Sequence, residues 1–301
     1  MKKALTATLL RLTRALARRL AAAPTAAADV QAQRAAIIDS TRGHDMAADP
    51  DEAYYSEQYW HWIAGALDAA GVRADGTGID LGCGQGRLTA WLAQRLSAGR
   101  VTGVDFSDNA IATAQHNARS AGISNVDYVV SPIADFVQDV PASACDIALM
   151  TEVSFYYPGW RQDLDGIKRV LRPGGLLAMA FRTQYYDALS LVRAGMLEHV
   201  DMLLGQRSGR LFGGEVELTW QTSAELRELF ETHLGMRIMR MTGIGCCSGI
   251  RDDPHGTLCR PSQLAPADRR DLMRLELALG PQLPDCGRYL LVIAAKDGGT
   301  A

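Results

Sequence analysis

Three glycines, Gly82, Gly84 and Gly86, alternate through Asp80-Leu81-Gly82-Cys83-Gly84-Gln85-Gly86-Arg87. Glycine at every second position removes the side chains that keep a ligand off the backbone. Apolar residues lead in from Gly78 and the run Leu88 to Leu96 has helical character, so the order is strand, tight turn, helix, with unpaired amides facing the turn. Such a turn is a cradle for a ligand bearing oxygens. The spacing is Gly-x-Gly-x-Gly, with Arg87 in the place of the last glycine of a dinucleotide turn, and no Lys-Ser or Lys-Thr pair follows. The spacing weakens a nicotinamide site, and the missing pair excludes a Walker loop. Asp105 closes a second apolar stretch, Arg100 to Val104, some twenty residues beyond the loop, where a carboxylate accepts both hydroxyl hydrogens of a ribose. Its competing role, capping a helix from Asp108 to Ala121, falls better to Ser107.

Asp-Leu-Gly-Cys-Gly-x-Gly resembles the first motif of class I S-adenosylmethionine-dependent methyltransferases, in their small-molecule branch, and Val-Leu-Arg-Pro-Gly-Gly-Leu-Leu at 170–177 resembles a second. The resemblance runs from about Gly76 to Arg182 and extends to a last strand ending at Ala295. It implies a Rossmann-like α/β fold with a seven-stranded, mostly parallel sheet and helices on both faces. It also implies S-adenosylmethionine as cofactor, met by Asp80, Gly82, Cys83, Gly84, Gln85, Gly86, Asp105, Phe106 and Thr151. Where the family commonly carries an aspartate this chain has Pro132. Adenine is then left to the amides of Ile133 and Ala134 and to apolar packing, with Asp135 as the other acidic candidate.

A strand over Cys145 to Met150 delivers Thr151, Glu152 and Tyr156 to the carboxyl edge of the sheet, where ligands bind in open α/β sheets. Methyl transfer from a sulfonium asks mainly for alignment and exclusion of water, with a base if the acceptor is a hydroxyl or amine. Glu152 is the best-placed carboxylate and Tyr156 the next catalytic candidate; His61 and His199 are weaker. Tyr54, Tyr55 and Tyr59 lie on an aromatic helix face that reads first as core and second as a lid over the cofactor, with Tyr55 and Tyr59 as substrate-binding candidates. Arg182, just past the fifth strand, is a fork for a substrate carboxylate, and Tyr185 follows it. No Asn or Asp precedes Pro-Pro-Tyr or Pro-Pro-Phe, which argues against base or glutamine methylation.

These residues need one large α/β domain to position them, and 301 residues that are 48% hydrophobic supply its core. Residues 1–75 read as an N-terminal helical extension or lid. The domain proper is 76–301, with cap insertions at about 183–220 and 243–287. Between Tyr185 and Gly214 the spacing predicts one helix followed by a loop from Gly205. The first 28 residues carry six basic side chains, no acid and a leucine stripe, which fits a helix packing on the domain or on a second copy in a homodimer ahead of two competing readings, a cleaved organelle-targeting peptide and an interfacial membrane helix. A net charge of −3 gives no general attraction to nucleic acid. Six cysteines without a Cys-x-x-Cys pair fit reduced thiols in the cytoplasm, and their spacing matches no zinc site. Cys246 and Cys247 read as small buried residues and His255 as a loop cap. Two other readings stay open: the same cofactor used for aminocarboxypropyl transfer or cyclisation, releasing methylthioadenosine, and a non-catalytic partner protein of the same fold.

Overall fold

A computed structural model describes residues 49–157, 159–211, 216–250 and 253–298. The helices expected within 1–41, and the dimer contact assigned to them, lie outside the described residues. The first described helix, α1 (Pro50–Ala69), starts where Asp49 accepts from the amides of Asp51 and Glu52 and Pro50 occupies the first turn. Its tyrosines at 54, 55 and 59 are fully buried. The core reading of that face holds.

Strands and helices then alternate: β1 (Thr77–Leu81), α2 (Arg87–Arg95), β2 (Arg100–Asp105), α3 (Asp108–Ser120), β3 (Val126–Val130), α4 (Ile133–Asp139), β4 (Cys145–Met150), α5 (Trp160–Val170) and β5 (Leu171–Thr183). Ser107 caps α3 by accepting from Ala110 N, the duty expected of it. The fifth strand begins at Leu171, ahead of the glycines at 174 and 175. Val170 ends the helix, and Arg172-Pro173-Gly174-Gly175 is carried inside β5 as an irregularity, with the register to β4 shifting between Cys145 and Ile147.

Next come α6 (Gln184–Arg193), a 3-10 turn at Leu197–His199, α7 (Val200–Gly205), β6 (Ser208–Gly209) and β7 (Leu218–Gln221). The single cap helix is therefore two. Gly195, at φ 72°, closes α6 with Met196 N on Leu191 O and its own amide on Val192 O, a left-handed stop that only glycine adopts cheaply. Thr222 and Glu225 form a capping box for α8 (Ser223–Arg227), which runs on as a π-helical turn to His233. The chain ends through β8 (Met236–Ile244), α9 (Pro266–Leu279) and β9 (Tyr289–Lys296).

The main sheet runs β3-β2-β1-β4-β5-β9-β8, with β7 and β6 added beyond the end of β5. Strands β1 to β5 pair in parallel and β9 is antiparallel to both neighbours, as a mostly parallel Rossmann-like sheet requires. Apolar residues of α5 and α8 cover one face, those of α1 and α2 the other. Burial on both faces makes the strands nearly continuous apolar runs. Among the described residues no helix is long and apolar enough to cross a membrane.

Candidate active site

The carboxyl ends of β1, β2, β4 and β5 lie along one edge, joined there by the end of β8 and the start of β9, since Tyr289 pairs with both Arg182 and Ile244. At β1 the turn is built from the backbone outward. Gly82 N and Cys83 N donate to Val104 O at 2.7 and 2.9 Å. Asp80, buried at the strand end, accepts from Thr89 Oγ1 at 2.6 Å and so ties strand to helix; burial pushes its carboxyl up to about 6. Asp105 accepts from Gly84 N and Ser107 N, each at 2.9 Å. Burial raises its pKa, opposed by the amides of Ser107, Gly84 and Phe106. This carboxylate thus sets the loop through these amides and still has acceptor capacity for a ribose.

Two glycines of the turn do different work. A Cβ on Gly82 would come within 2.3 Å of Val153 Cγ2, so its space is taken by the protein itself. A Cβ on Gly84 would meet no atom within 4 Å, so the open side of the turn lies there. That open position, beside Asp105, fits an S-adenosylmethionine held along the backbone. Gly84→Ala is expected to cost only about 1–2 kcal/mol of stability, for its φ of 53°. Affinity for S-adenosylhomocysteine, measured by calorimetry, should fall more than tenfold. Gly82→Ala should instead lower the melting temperature outright.

Past β4 the chain turns sharply, and Glu152 sits at φ 59°, left-handed backbone in a non-glycine residue. Its carboxyl faces Arg87, whose Nη2 lies 3.3 Å from Oε1, while Arg87 Nη1 donates to Glu52 Oε2 and Glu52 O at 2.9 Å. One guanidinium therefore bridges the glycine turn, α1 and β4. Burial pushes Glu152 up to about 7; Arg87 pulls it down and Glu52 pushes it up again. The Tyr59 hydroxyl is buried nearby without a hydrogen bond of good geometry. Tyr156 is half-buried, its phenol raised by burial and lowered by Arg182 and Arg288. The ring of Tyr289 stacks on Phe155, centroids 5.4 Å apart, and lies 6.3 Å from that of Tyr59. Glu152 thus stands in an aromatic wall.

The other expected residues separate. Arg182 is not a free fork: it donates through Nε and Nη2 to Asp187 at 2.9 and 2.5 Å, buried, so its bidentate face is already filled. Tyr55 is packed in the core with its hydroxyl 3.3 Å from Ser248 Oγ, and Tyr185 is 45% exposed on α6. His61 is exposed beside Trp62, and His199 lies against Glu198. Ile133 and Ala134 open α4, and Thr151 follows β4 directly. Cys247 is exposed, contrary to expectation, and Asp253 rather than His255 caps the 3-10 turn at Pro254–Thr257. Sequence reasoning passed over Arg87 and Glu52. Their signal was a lone arginine immediately after the glycines and an acid in the first turn of an aromatic helix.

Residues 79–179 match the methyltransferase domain family. The chain is 28% identical over 156 residues to a fatty-acid O-methyltransferase of Mycolicibacterium smegmatis, covering 52% of the chain and 54% of the relative. It is 35% identical over 109 residues to a trans-aconitate 2-methyltransferase of Azoarcus, covering 36% and 40%. The chain thus spans about half or less of the length of these curated relatives. Its fold is shared with magnesium protoporphyrin IX methyltransferase of Synechocystis, with a TM-score of 0.51 at 15% identity over 82% and 84% of the two chains.

Proposed function

Residues 79–179 form a class I S-adenosylmethionine-dependent methyltransferase domain, and from that premise we propose that the chain transfers a methyl group to a small acceptor through a hydroxyl or amine that gives up a proton. The observation that carries this reading is Glu152: a carboxyl near neutral pKa, at the carboxyl edge of β4, beside the glycine turn. The relatives' names, a fatty acid and trans-aconitate, support a small acceptor over a nucleic acid. So does a net charge of −3. We place the enzyme in the cytoplasm, in keeping with six free thiols. The insertions at 183–220 and 243–287 are proposed to select the acceptor.

Bound S-adenosylmethionine supplies an electrophilic methyl on a sulfonium. The turn at 82–86 and Asp105 hold and orient it, with Cys83, Gln85, Phe106, Thr151, Ile133 and Ala134 proposed around the nucleoside and methionine. Tyr59, Phe155 and Tyr289 exclude water, which strengthens every charge contact at Glu152. The Glu152 carboxylate takes the acceptor proton, and Arg87 stabilises its ionised form.

Calorimetric titration with S-adenosylmethionine, S-adenosylhomocysteine and NADH tests the premise. Binding of NADH alone would sink it, and methylthioadenosine as the product would point to aminocarboxypropyl chemistry. Absence of any binding would leave a scaffold protein. Asp105→Ala is expected to weaken S-adenosylhomocysteine binding by about 1–3 kcal/mol, the worth of hydrogen bonds to a charged group.

A further inference from the structure

Arg288 precedes β9 and so stands at the same sheet edge as Arg182, whose partner in the ladder is Tyr289. Its side chain is almost wholly buried, at 11% exposure, with Nη1 donating to Asp253 Oδ2. The same oxygen accepts from the Tyr186 hydroxyl at 2.8 Å, and the His255 ring lies on Tyr186 with centroids 4.4 Å apart. Cap helix α6, the turn at Pro254–Thr257 and the start of β9 thus meet in one polar cluster. Two of its nitrogens, Arg288 Nε and His255 Nε2, are buried with no hydrogen-bond partner.

A guanidinium N–H taken out of water and left unmatched carries its desolvation penalty until something accepts from it. Asp187 is turned to Arg182 through both oxygens, and no described acceptor meets Arg288 Nε. The cluster also reaches the reacting edge: Arg288 is near enough for its charge to favour the ionised forms of Glu152 and of Tyr156.

We propose that Arg288, with His255 beside it, is the anion subsite of the acceptor: a carboxylate on the substrate pairs with its guanidinium, and the hydroxyl or amine to be methylated is thereby set toward Glu152. This rests on the methyl-transfer reading. The carboxylate fork expected at Arg182 is supplied instead by the residue just before Arg182's ladder partner, Tyr289. A planar donor edge facing a carboxylate discriminates by geometry as well as charge, so a neutral isostere should be rejected.

The test uses the full chain saturated with S-adenosylhomocysteine and titrated by calorimetry with 3-hydroxybenzoate and 3-hydroxybenzamide. The acid is expected to bind at least about tenfold tighter than the amide. In Arg288→Gln that preference should fall to within about threefold while S-adenosylhomocysteine affinity is unchanged. Equal binding of acid and amide, binding of neither, or a preference kept in Arg288→Gln overturns the proposal. Should that variant fail to fold, the comparison in the unmodified chain decides alone. An acid preference without any methyl transfer would leave the subsite standing and remove the reading it rests on.

Discussion

Glu152→Gln is expected to lower turnover by about a hundred- to a thousandfold, the usual contribution of a positioned base. S-adenosylhomocysteine affinity should stay within about threefold, because Glu152 meets the glycine turn only through Arg87, which keeps its bonds to Glu52. Turnover is read as S-adenosylhomocysteine released with a phenolic acid acceptor. The unmodified enzyme should gain activity as pH rises through about 7, where the carboxyl loses its proton. In the variant that limb should disappear. Stability runs the opposite way. The folded pKa is raised from 4.5 to about 7, so the fold holds this proton more tightly than the unfolded chain does. The contribution is complete below 4.5 and lost as pH rises through about 7. Near-normal turnover of Glu152→Gln with an unaltered pH limb would move the proton acceptor elsewhere, with Tyr156 the next group to replace.

A second large effect lies away from the chemistry. Glu276 has no exposed surface, yet is a carboxylate on α9. It accepts from Tyr54 Oη at 2.8 Å, Gln58 Nε2 at 2.7 Å, Cys247 N at 2.7 Å and Ser248 Oγ at 2.9 Å. Four donors from α1 and from the segment after β8 converge on two oxygens. Glu276→Ala should therefore cost roughly 3–5 kcal/mol, since charged hydrogen bonds are lost and buried donors are left unmatched. Urea denaturation followed by tryptophan fluorescence reads the change in midpoint. A shift worth less than about 1 kcal/mol would mean that water takes the place of the carboxylate.

What could be read from the chain alone was what lies close together along it. Gly82, Gly84, Gly86 and Asp80 declare a turn within one stretch of residues, and the strand-ending Asp105 follows at the distance one βα unit demands. The Ser107 cap is likewise a local signal and formed as read, and the Thr222-Glu225 box is as local. Partners that depend on how one element turns into the next left no such trace, even five residues away. Arg182 has the same side chain whether its fork is open or filled, and only the fold of α6 brings Asp187 to it. The helix α9 was missed for a more specific reason. Pro266 and Gly280 bracket it as start and stop signals should, but the position it buries most completely is a glutamate, which breaks the apolar period by which a helix is recognised. A carboxylate that organises a core is, on paper, a surface residue.

The same carboxylate has a consequence in time. Tyr54 and Glu276 are bonded across a separation of 222 residues, so a ribosome adding about 5–20 residues per second makes the acceptor roughly ten to forty-five seconds after the donor. For that interval α1 has its buried tyrosines but neither Glu276 nor the strand β9 that covers them. The aromatic helix is then exposed on a nascent chain whose central sheet is already assembling, and chaperone demand should concentrate on it. Moving residues 50–69 to follow β9 by circular permutation would shorten the wait and should raise the yield of folded protein.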